Sequence, residues 1–157
     1  MKVYIPPHSS EEFKNSSKSY GVSIAESGNI YQIKPGIFIS GELCGKTKKG
    51  NIYEQYLVIK SSQGLIVMTG CAHPGIVNIV KDSKEKFNED IFILMGGFHL
   101  RDKEGFEILK IIKELKNLGA QRVAPLHCTG REAVNQMKEE FGKSFIILKQ
   151  HEPLVLT

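Results

Sequence analysis

Residues 64–80 have the sequence "GLIVMTGCAHPGIVNIV". The run "GLIVM" is apolar and follows a turn, which is typical of a buried β-strand. Apolar residues then recur at helical spacing from Ile76 to Val80, and this pattern predicts a helix with Pro74 in its first turn. His73 therefore lies where a predicted strand gives way to a predicted helix.

The same strand–helix pattern occurs twice more. "DIFILMGG" precedes "EGFEILKIIKELKNLG", and "AQRVAPLH" precedes "REAVNQMKEEFG", with a last strand expected at "SFIILKQ". Repeated units of this kind predict a layered α/β (α+β) fold in which helices cover one face of a sheet. The apolar stripe predicted for the middle helix comprises Phe106, Leu109, Ile112 and Leu115, widened by Ile108 and Ile111.

At 157 residues, we expect a single domain covering residues 1–157, or a large part of one. Residues 1–60 form its strand-rich first segment, and residues 61–157 contain the strand–helix units. In the first segment, "KVYI" is a short strand, "PPHSSEEFKNSSKSYG" is polar and turn-rich, and "NIYQIKPGIFISGEL" is two strands broken at Pro35-Gly36. "YEQYLVIKSSQGLIVMTG" predicts a hairpin that turns at Ser61–Gly64.

The bulk composition argues against several classes of protein. The net charge of +4 comes from 21 basic and 17 acidic residues that are scattered along the chain, so no nucleic-acid partner is expected. The apolar runs are too short for a membrane span. Three cysteines, Cys44, Cys71 and Cys128, at irregular spacing form no disulfide framework, and a reducing cytoplasm is the expected location.

Three of the five histidines occupy equivalent positions. His73, His99 and His127 each follow a predicted strand, and they are separated by 26 and 28 residues. Since the carboxyl ends of neighbouring strands form one rim of an α/β sheet, these side chains can converge there. Three imidazoles with an open coordination position are a pattern of catalytic zinc sites, and Mn or Fe are alternatives. The competing interpretation for each histidine alone is a hydrogen-bonded residue at a strand end. His8 and His151 are expected at the surface.

The cysteines next to these histidines leave a second ligand set open. Cys71 and Cys128 could join a mixed His/Cys site, but on extended backbone their side chains diverge from those of the histidines, which favours packing roles. The sequence contains no GxGxxG or GxSxG motif, and "TGCAHPG" has no GK[ST], so no nucleotide cofactor and no serine nucleophile are expected.

The ordered set "IKPGIFISGEL", "YEQYLVI", "GLIVMTGCAHPGIVNIV", "GGFHL" and "PLHCTG" resembles the C-terminal portion of the metallo-β-lactamase superfamily. Within it, the motifs are most similar to the branch that includes the dihydropterin ribofuranosylaminobenzene-phosphate synthases. The resemblance implies an αββα sandwich with a divalent metal site at one edge, where zinc is the first expectation. It implies that His73 is the metal ligand of the third family motif and His127 that of the last. His99 matches a branch motif near the site, with a less secure role as a ligand.

The chain departs from the family pattern in lacking HxHxDH, the motif that supplies ligands from the first sheet. Three interpretations follow: half of a split enzyme, a truncated enzyme, or a stand-alone half-domain. We expect one metal ion or none in the isolated chain, with Glu54 or Asp82 as candidate partners for a ligand histidine. The expected partners are a complementary N-terminal half chain or further copies of this chain.

The first functional hypothesis is a metal-dependent hydrolase in which metal-activated water attacks an ester, phosphoester or activated carbon of a small substrate, phosphorylated or not. The alternative is a non-catalytic or vestigial domain that serves as a binding or partner subunit. A third hypothesis is a small-molecule-binding module without chemistry. No residue is assigned a catalytic role at this point, and whether the chain is an enzyme stays open.

Overall fold

The computed structural model describes residues 1–149 and 151–155 of the chain. Within these residues there are ten β-strands, four α-helices and two short 3₁₀ turns. The strands are β1 Lys2–Ile5, β2 Ser23–Glu26, β3 Tyr31–Lys34, β4 Ile37–Ile39, β5 Leu43–Thr47, β6 Gly50–Glu54, β7 Leu57–Ser61, β8 Gly64–Thr69, β9 Ile91–Gly97 and β10 Arg122–Leu126. The helices are α1 Glu11–Ser19, α2 Ile76–Phe87, α3 Gly105–Asn117 and α4 Arg131–Phe141, and the 3₁₀ turns are His127–Thr129 and Gly142–Ser144.

Six strands form one mixed sheet in the order β10-β9-β8-β7-β4-β3. Strands β8, β9 and β10 are parallel, whereas β7, β4 and β3 run antiparallel to their neighbours. Parallel neighbours need crossover connections, which α2 and α3 supply. The predicted α/β arrangement with strand–helix units is therefore confirmed, as is the hairpin that turns between Ser61 and Gly64.

The main core lies between the sheet and helices α2, α3 and α4. It is apolar on both sides, because the central parallel strands are buried on both faces and the helices each present one apolar stripe. Its most deeply buried members are Val58, Leu65, Val67, Ile91, Leu94 and Val123 from the sheet and Val80, Ile108, Ile112, Leu115 and Met137 from the helices.

Helix α3 buries a narrower stripe than the sequence predicted. Ile108, Ile112 and Leu115 are buried, but Phe106 is 74% exposed and Leu109 37% exposed. A step of three residues turns a side chain by only about 300°, so a series of such steps drifts around the helix and leaves the buried face. The prediction was right for Ile112 and Leu115 and wrong for Phe106 and Leu109.

The second face of the sheet has its own smaller cluster. Its members are Ile66, Phe92, Ile93, Met95, Ala124 and Ile146. The strand predicted at residues 144–150 is reduced to an isolated bridge between Val123 and Phe145, and Gln150 lies outside the described residues. Phe145 packs against the main core and Ile146 joins the second-face cluster, as the alternation of side chains along extended backbone requires.

The first sixty residues form smaller elements around the sheet. Strands β1 and β2 make a parallel pair, and β5 and β6 make an antiparallel hairpin. Helix α1 lies within "PPHSSEEFKNSSKSYG", a stretch whose polar residues predict turns rather than a helix. Its start is capped by Ser10, whose hydroxyl accepts a hydrogen bond from the backbone N–H of Phe13 at 3.2 Å, and Glu11 and Glu12 follow in the first turn. None of the helices within the described residues is long and apolar enough to cross a membrane.

We expect Ile112→Ala to destabilise the protein by about 2–5 kcal/mol, because it removes a fully buried side chain from the centre of the main core. Phe106→Ala on the same helix should change the free energy of unfolding by less than about 0.5 kcal/mol, since that ring is exposed. Urea denaturation followed by circular dichroism measures both changes. Equal effects of the two substitutions would contradict this assignment of the buried face.

Candidate functional site

The ends of the three parallel strands lie at one level. Thr69 of β8 pairs with Gly96 of β9, and Gly96 pairs with Pro125 of β10. A Cβ atom at Gly96 would lie 2.2 Å from the carbonyl oxygen of Thr69, and the φ angle there is +120°, so only glycine fits. The loops after β8, β9 and β10 therefore leave the sheet side by side, and each contains one of the predicted histidines.

His73 is fixed by a carboxylate from the β5–β6 hairpin. Its backbone N–H donates to Oε2 of Glu54 at 2.9 Å, and its Nδ1 lies 2.5 Å from Oε1 of the same residue. An ionised carboxylate only accepts hydrogen bonds, so Nδ1 of the neutral imidazole carries the proton and Nε2 keeps its lone pair. Both side chains are largely buried, at 16% and 20% exposure. The result is an oriented imidazole with its free nitrogen available to a ligand.

The hairpin comes close to His73 because it has a glycine at the point of contact. A Cβ atom at Gly45 would lie 2.6 Å from the carbonyl carbon of His73 and 2.7 Å from its Cβ. Of the two carboxylates considered as partners from sequence, Glu54 thus contacts a histidine. Asp82 instead accepts hydrogen bonds from the hydroxyl of Tyr56 at 2.5 Å and from Nζ of Lys86 at 2.8 Å. Burial, followed by the bond to Asp82, raises the pKa of Tyr56.

His99 lies beside His73. Their ring centroids are 4.4 Å apart and the rings are inclined at 48°. The two residues line one cavity of about 460 Å³ between the loops after β8 and β9. The structure therefore brings together two of the three predicted ligands.

His127 is exposed and lines a different cavity, of about 560 Å³, together with Arg101 and Arg131. Its carbonyl oxygen accepts a long hydrogen bond of 3.5 Å from Nη2 of Arg101. Across residues 1–149 and 151–155, no group of three or more His, Cys, Asp or Glu side chains is arranged so as to hold a metal ion. His127 is thus on the same rim as His73 and His99, but the three rings do not form one cluster.

The backbone at this rim takes up an unusual conformation. The φ angles of Ala72, His99 and His127 are +60°, +52° and +49°. Residues other than glycine rarely adopt such values, and strain of this kind concentrates at binding and catalytic sites. Three of the five non-glycine residues with positive φ in the described part of the chain lie in these loops.

The two rim cysteines contact each other. The thiol of Cys128 donates to the carbonyl oxygen of Cys71 at 3.5 Å, and a Cβ atom at Gly97 would lie 2.8 Å from Sγ of Cys128. Burial, followed by the neighbouring Cys128 thiol, raises the pKa of Cys71 to about 11. Both thiols are half-buried, whereas Cys44 is exposed. At neutral pH, Cys71 is therefore a protonated packing residue in this structure.

A second histidine–glutamate contact lies on the other side of the hairpin. The backbone N–H of His8 donates to Oε2 of Glu42 at 2.8 Å, and its Nδ1 lies 2.6 Å from Oε1. The ring of His8 also stacks on Tyr53, with centroids 4.7 Å apart. His8 was expected at the surface, and its side chain is 66% exposed. Sequence reasoning did not anticipate that a carboxylate would fix it.

The donor atoms suit a divalent cation in part. His73 offers an oriented imidazole nitrogen supported by Glu54, which is how ligating histidines are usually supported, and His99 is its neighbour. Imidazole is a good ligand for Zn²⁺. A complete four-coordinate shell needs groups in addition to this pair.

No family model matches the sequence of this chain. It is 38% identical over 117 residues to the 7,8-dihydropterin-6-methyl-4-(β-D-ribofuranosyl)-aminobenzene-5'-phosphate synthase of Methanocaldococcus jannaschii, covering 73% of this chain and 40% of that protein. It is 30% identical over 95 residues to an uncharacterized protein of the same organism, covering 60% of this chain and 35% of that one. The chain thus spans 40% or less of these curated relatives.

Two solved structures share the fold. The crystal structure of isothiocyanate hydrolase from Delia radicum gut bacteria matches with a TM-score of 0.56 at 13% identity, covering 99% of this chain and 67% of that one. A crystal structure of a metal-dependent hydrolase of the β-lactamase superfamily matches with a TM-score of 0.76 at 30% identity, covering 94% of this chain and 68% of that chain. With two thirds of a hydrolase matched at this level of identity, the chain belongs to the metallo-β-lactamase superfamily.

Proposed function

We propose that the chain supplies metal-binding and substrate-binding groups to a metal-dependent hydrolase. The observation that supports this most directly is the pair of contacts from Glu54 to His73, which fixes the imidazole and leaves Nε2 free. Glu54 accepts hydrogen bonds from the backbone N–H and from Nδ1 of His73, as Glu42 does from His8, but only the His73 side chain is largely buried. In metal sites, a carboxylate that does not itself bind the metal often accepts a hydrogen bond from a ligand histidine in this way.

In this proposal His73 and His127 are protein ligands of one divalent ion, with zinc as the first choice and Mn or Fe as alternatives. A bound divalent ion would lower the pKa of a coordinated water toward neutrality and polarise a substrate oxygen. Glu54 keeps the tautomer and the orientation of His73. His99 lies next to His73 and either completes the ligand set or contacts the substrate.

We further propose a small, phosphorylated substrate. The relative with 38% identity is named as a synthase of an aminobenzene 5'-phosphate compound, which describes that protein. The same chemistry is proposed for this chain on the grounds of the shared sequence and the two arginines beside His127. The location proposed is the cytoplasm, in keeping with three cysteines that are all free thiols.

The proposal includes a partner, either a complementary N-terminal chain or further copies of this chain. This chain covers 68% of the related hydrolase structure and 40% of the related synthase. Strand β3 lies at one edge of the sheet, and Met68 on the second face is 37% exposed. A partner that covers this face would bury apolar surface and add ligands to the rim.

The alternative is a non-catalytic domain that keeps the fold and acts as a partner subunit. One observation favours it: across the described part of the chain, the candidate ligands do not form a group of three. Metal content separates the two proposals.

We expect the purified protein to bind about one Zn²⁺ per chain, and His73→Ala to abolish this binding. Glu54→Gln keeps the shape of the side chain but removes its charge, and should weaken binding by about 10–100-fold, since outer-shell carboxylates contribute that much. Elemental mass spectrometry after dialysis gives the stoichiometry, and competition with a chromophoric chelator gives the affinity.

His151→Ala is the matched control, because it removes a histidine outside the rim and should leave binding unchanged. Equal zinc content in wild type and His73→Ala would contradict the proposed site. A folded protein that binds no zinc would fit both the non-catalytic alternative and a half-site that needs ligands from its partner.

The cysteines provide a second test of the ligand set. Because the pKa of Cys71 is raised to about 11, its reactive thiolate is scarce at neutral pH, and its alkylation rate should rise about tenfold per pH unit up to that value. We expect iodoacetamide to label exposed Cys44 first at pH 7.5, as followed by peptide mass mapping. Added Zn²⁺ should not protect Cys71 or Cys128. Protection of either would support the mixed His/Cys site instead.

Self-association can be tested on the second face of the sheet. We expect light scattering to give a mass above the 17.6 kDa of one chain. Met68→Glu, which adds a charge to that face, should shift the protein toward the single chain, whereas Phe106→Glu on the opposite, helical side should not. A wild-type protein that is monomeric at high concentration would rule out further copies as the partner.

A further inference from the structure

The cavity beside His127 is lined by two of the chain's arginines. It has a volume of about 560 Å³, and its wall includes Arg101 and Arg131 together with the apolar side chains of Leu126 and Val134. Concave sites of several hundred Å³ with an apolar floor and a few convergent polar groups are typical of small-molecule sites. Here the charged side chains of the wall are two guanidinium ions, and His127 lies beside them.

Arginine is scarce in this chain, so the presence of two arginines at one cavity is informative. The sequence contains 18 lysines and only three arginines, and two of the three line this one cavity. The third, Arg122, lies over the ring of Phe92 at 5.6 Å and is accounted for by that contact. Lysines serve the solvent-exposed ion pairs of the described residues, for example Lys60 with Glu89.

Neither guanidinium of the cavity is neutralised. Within residues 1–149 and 151–155, Arg101 and Arg131 form no ion pair with a carboxylate. Glu132 is adjacent to Arg131, but its Oε1 accepts a hydrogen bond from Nε2 of Gln136 at 3.2 Å, and a Cβ atom at Gly105 would lie 2.7 Å from that oxygen. Asp102, which follows Arg101, is exposed and forms no ion pair in that part of the chain either. The cavity therefore has an uncompensated positive charge.

Backbone contact brings the two arginines together. Arg101 belongs to the loop after β9, and Arg131 is the first residue of α4. A Cβ atom at Gly130 would lie 2.6 Å from Cα of Arg101, and φ of Gly130 is +86°, so glycine is required for this approach. The start of α4 also has no side-chain cap, and the positive end of the helix dipole adds to the field of the arginines.

We propose that this cavity binds the phosphate group of a phosphomonoester substrate through Arg101 and Arg131. The fork of N–H donors on each guanidinium matches the oxygens of phosphate in a way that lysine does not. Two cationic groups balance the charge of a phosphate dianion. Leu126 and Val134 offer apolar contact to the group that the phosphate is attached to. The inference rests on the proposed function in one respect: His127, on the same wall, is a proposed metal ligand.

The test uses the full chain freed of metal with EDTA, so that its result does not depend on the metal site. Binding of phenyl phosphate and of inorganic phosphate is measured by isothermal titration calorimetry, with the rise in melting temperature as a second readout. We expect Arg101→Gln and Arg131→Gln each to weaken binding of phenyl phosphate by roughly tenfold or more, since each removes charged hydrogen bonds. Arg131→Lys should recover only part of the loss.

Arg122→Gln is the matched control, because it removes the same charge away from the cavity and should bind as the wild type does. Tighter binding of phenyl phosphate than of inorganic phosphate would support a subsite for an esterified phosphate. Equal affinity for phenyl phosphate and inorganic phosphate would overturn the subsite for an esterified phosphate and leave a site for free phosphate.

Equal weakening by Arg122→Gln and Arg131→Gln, or no binding by the wild type at millimolar concentrations, would overturn the inference as a whole. Zinc content is measured separately. A protein that binds zinc but no phosphate would overturn only this inference, and a protein that binds phosphate but no zinc would contradict only the proposed metal site.

Discussion

The parallel register of β8, β9 and β10 is the constraint on which the rest of the structure depends. It places Thr69, Gly96 and Pro125 at one level, so the three following loops leave the sheet together. Glycine at positions 96 and 97 allows the backbones of these loops to approach more closely than any side chain would permit. The candidate ligands, the contacting thiols and the arginine-lined cavity all lie on these loops. A change in register would separate them.

The orientation of His73 depends on a different part of the chain. Glu54 ends β6, and the β5–β6 hairpin is outside the main sheet. The hairpin can reach the rim because Gly45 has no side chain at the point of closest approach. Strand β8 thus determines where His73 lies, and the β5–β6 hairpin determines the direction in which its ring faces. Separate control of position and direction is what a ligand-binding histidine needs.

The sequence predicted the parts of the fold that depend on local patterns. The strand–helix units, the break at Pro35-Gly36 and the hairpin at Ser61–Gly64 follow from apolar periodicity and turn residues, and all are present. Equivalent positions of the histidines after successive strands also follow from this periodicity, and His73 and His99 do lie together. Helix α1 was missed because its polar sequence resembles a loop, although Ser10 followed by two glutamates is a helix-start signal.

What the sequence could not predict depends on distant contacts. Glu54 and Asp82 were equivalent candidates for supporting a histidine, and only the fold of the hairpin distinguishes them. The meeting of Arg101 and Arg131 depends on the approach at Gly130, which has no periodic signature. His99 and His127 also line two separate cavities and both have left-handed backbone, and the residue types do not predict either feature.

The β5–β6 hairpin has a histidine on each of its faces. Tyr53 and Glu54 are consecutive in β6, so their side chains point in opposite directions: Tyr53 stacks on His8, and Glu54 bonds to His73. The amino-terminal segment and the rim therefore share one thin, two-stranded support. Because the two histidines lie on opposite faces, a movement of the hairpin toward one imidazole is a movement away from the other. The hairpin therefore couples the surroundings of His8 to those of His73, two residues that are far apart in the chain.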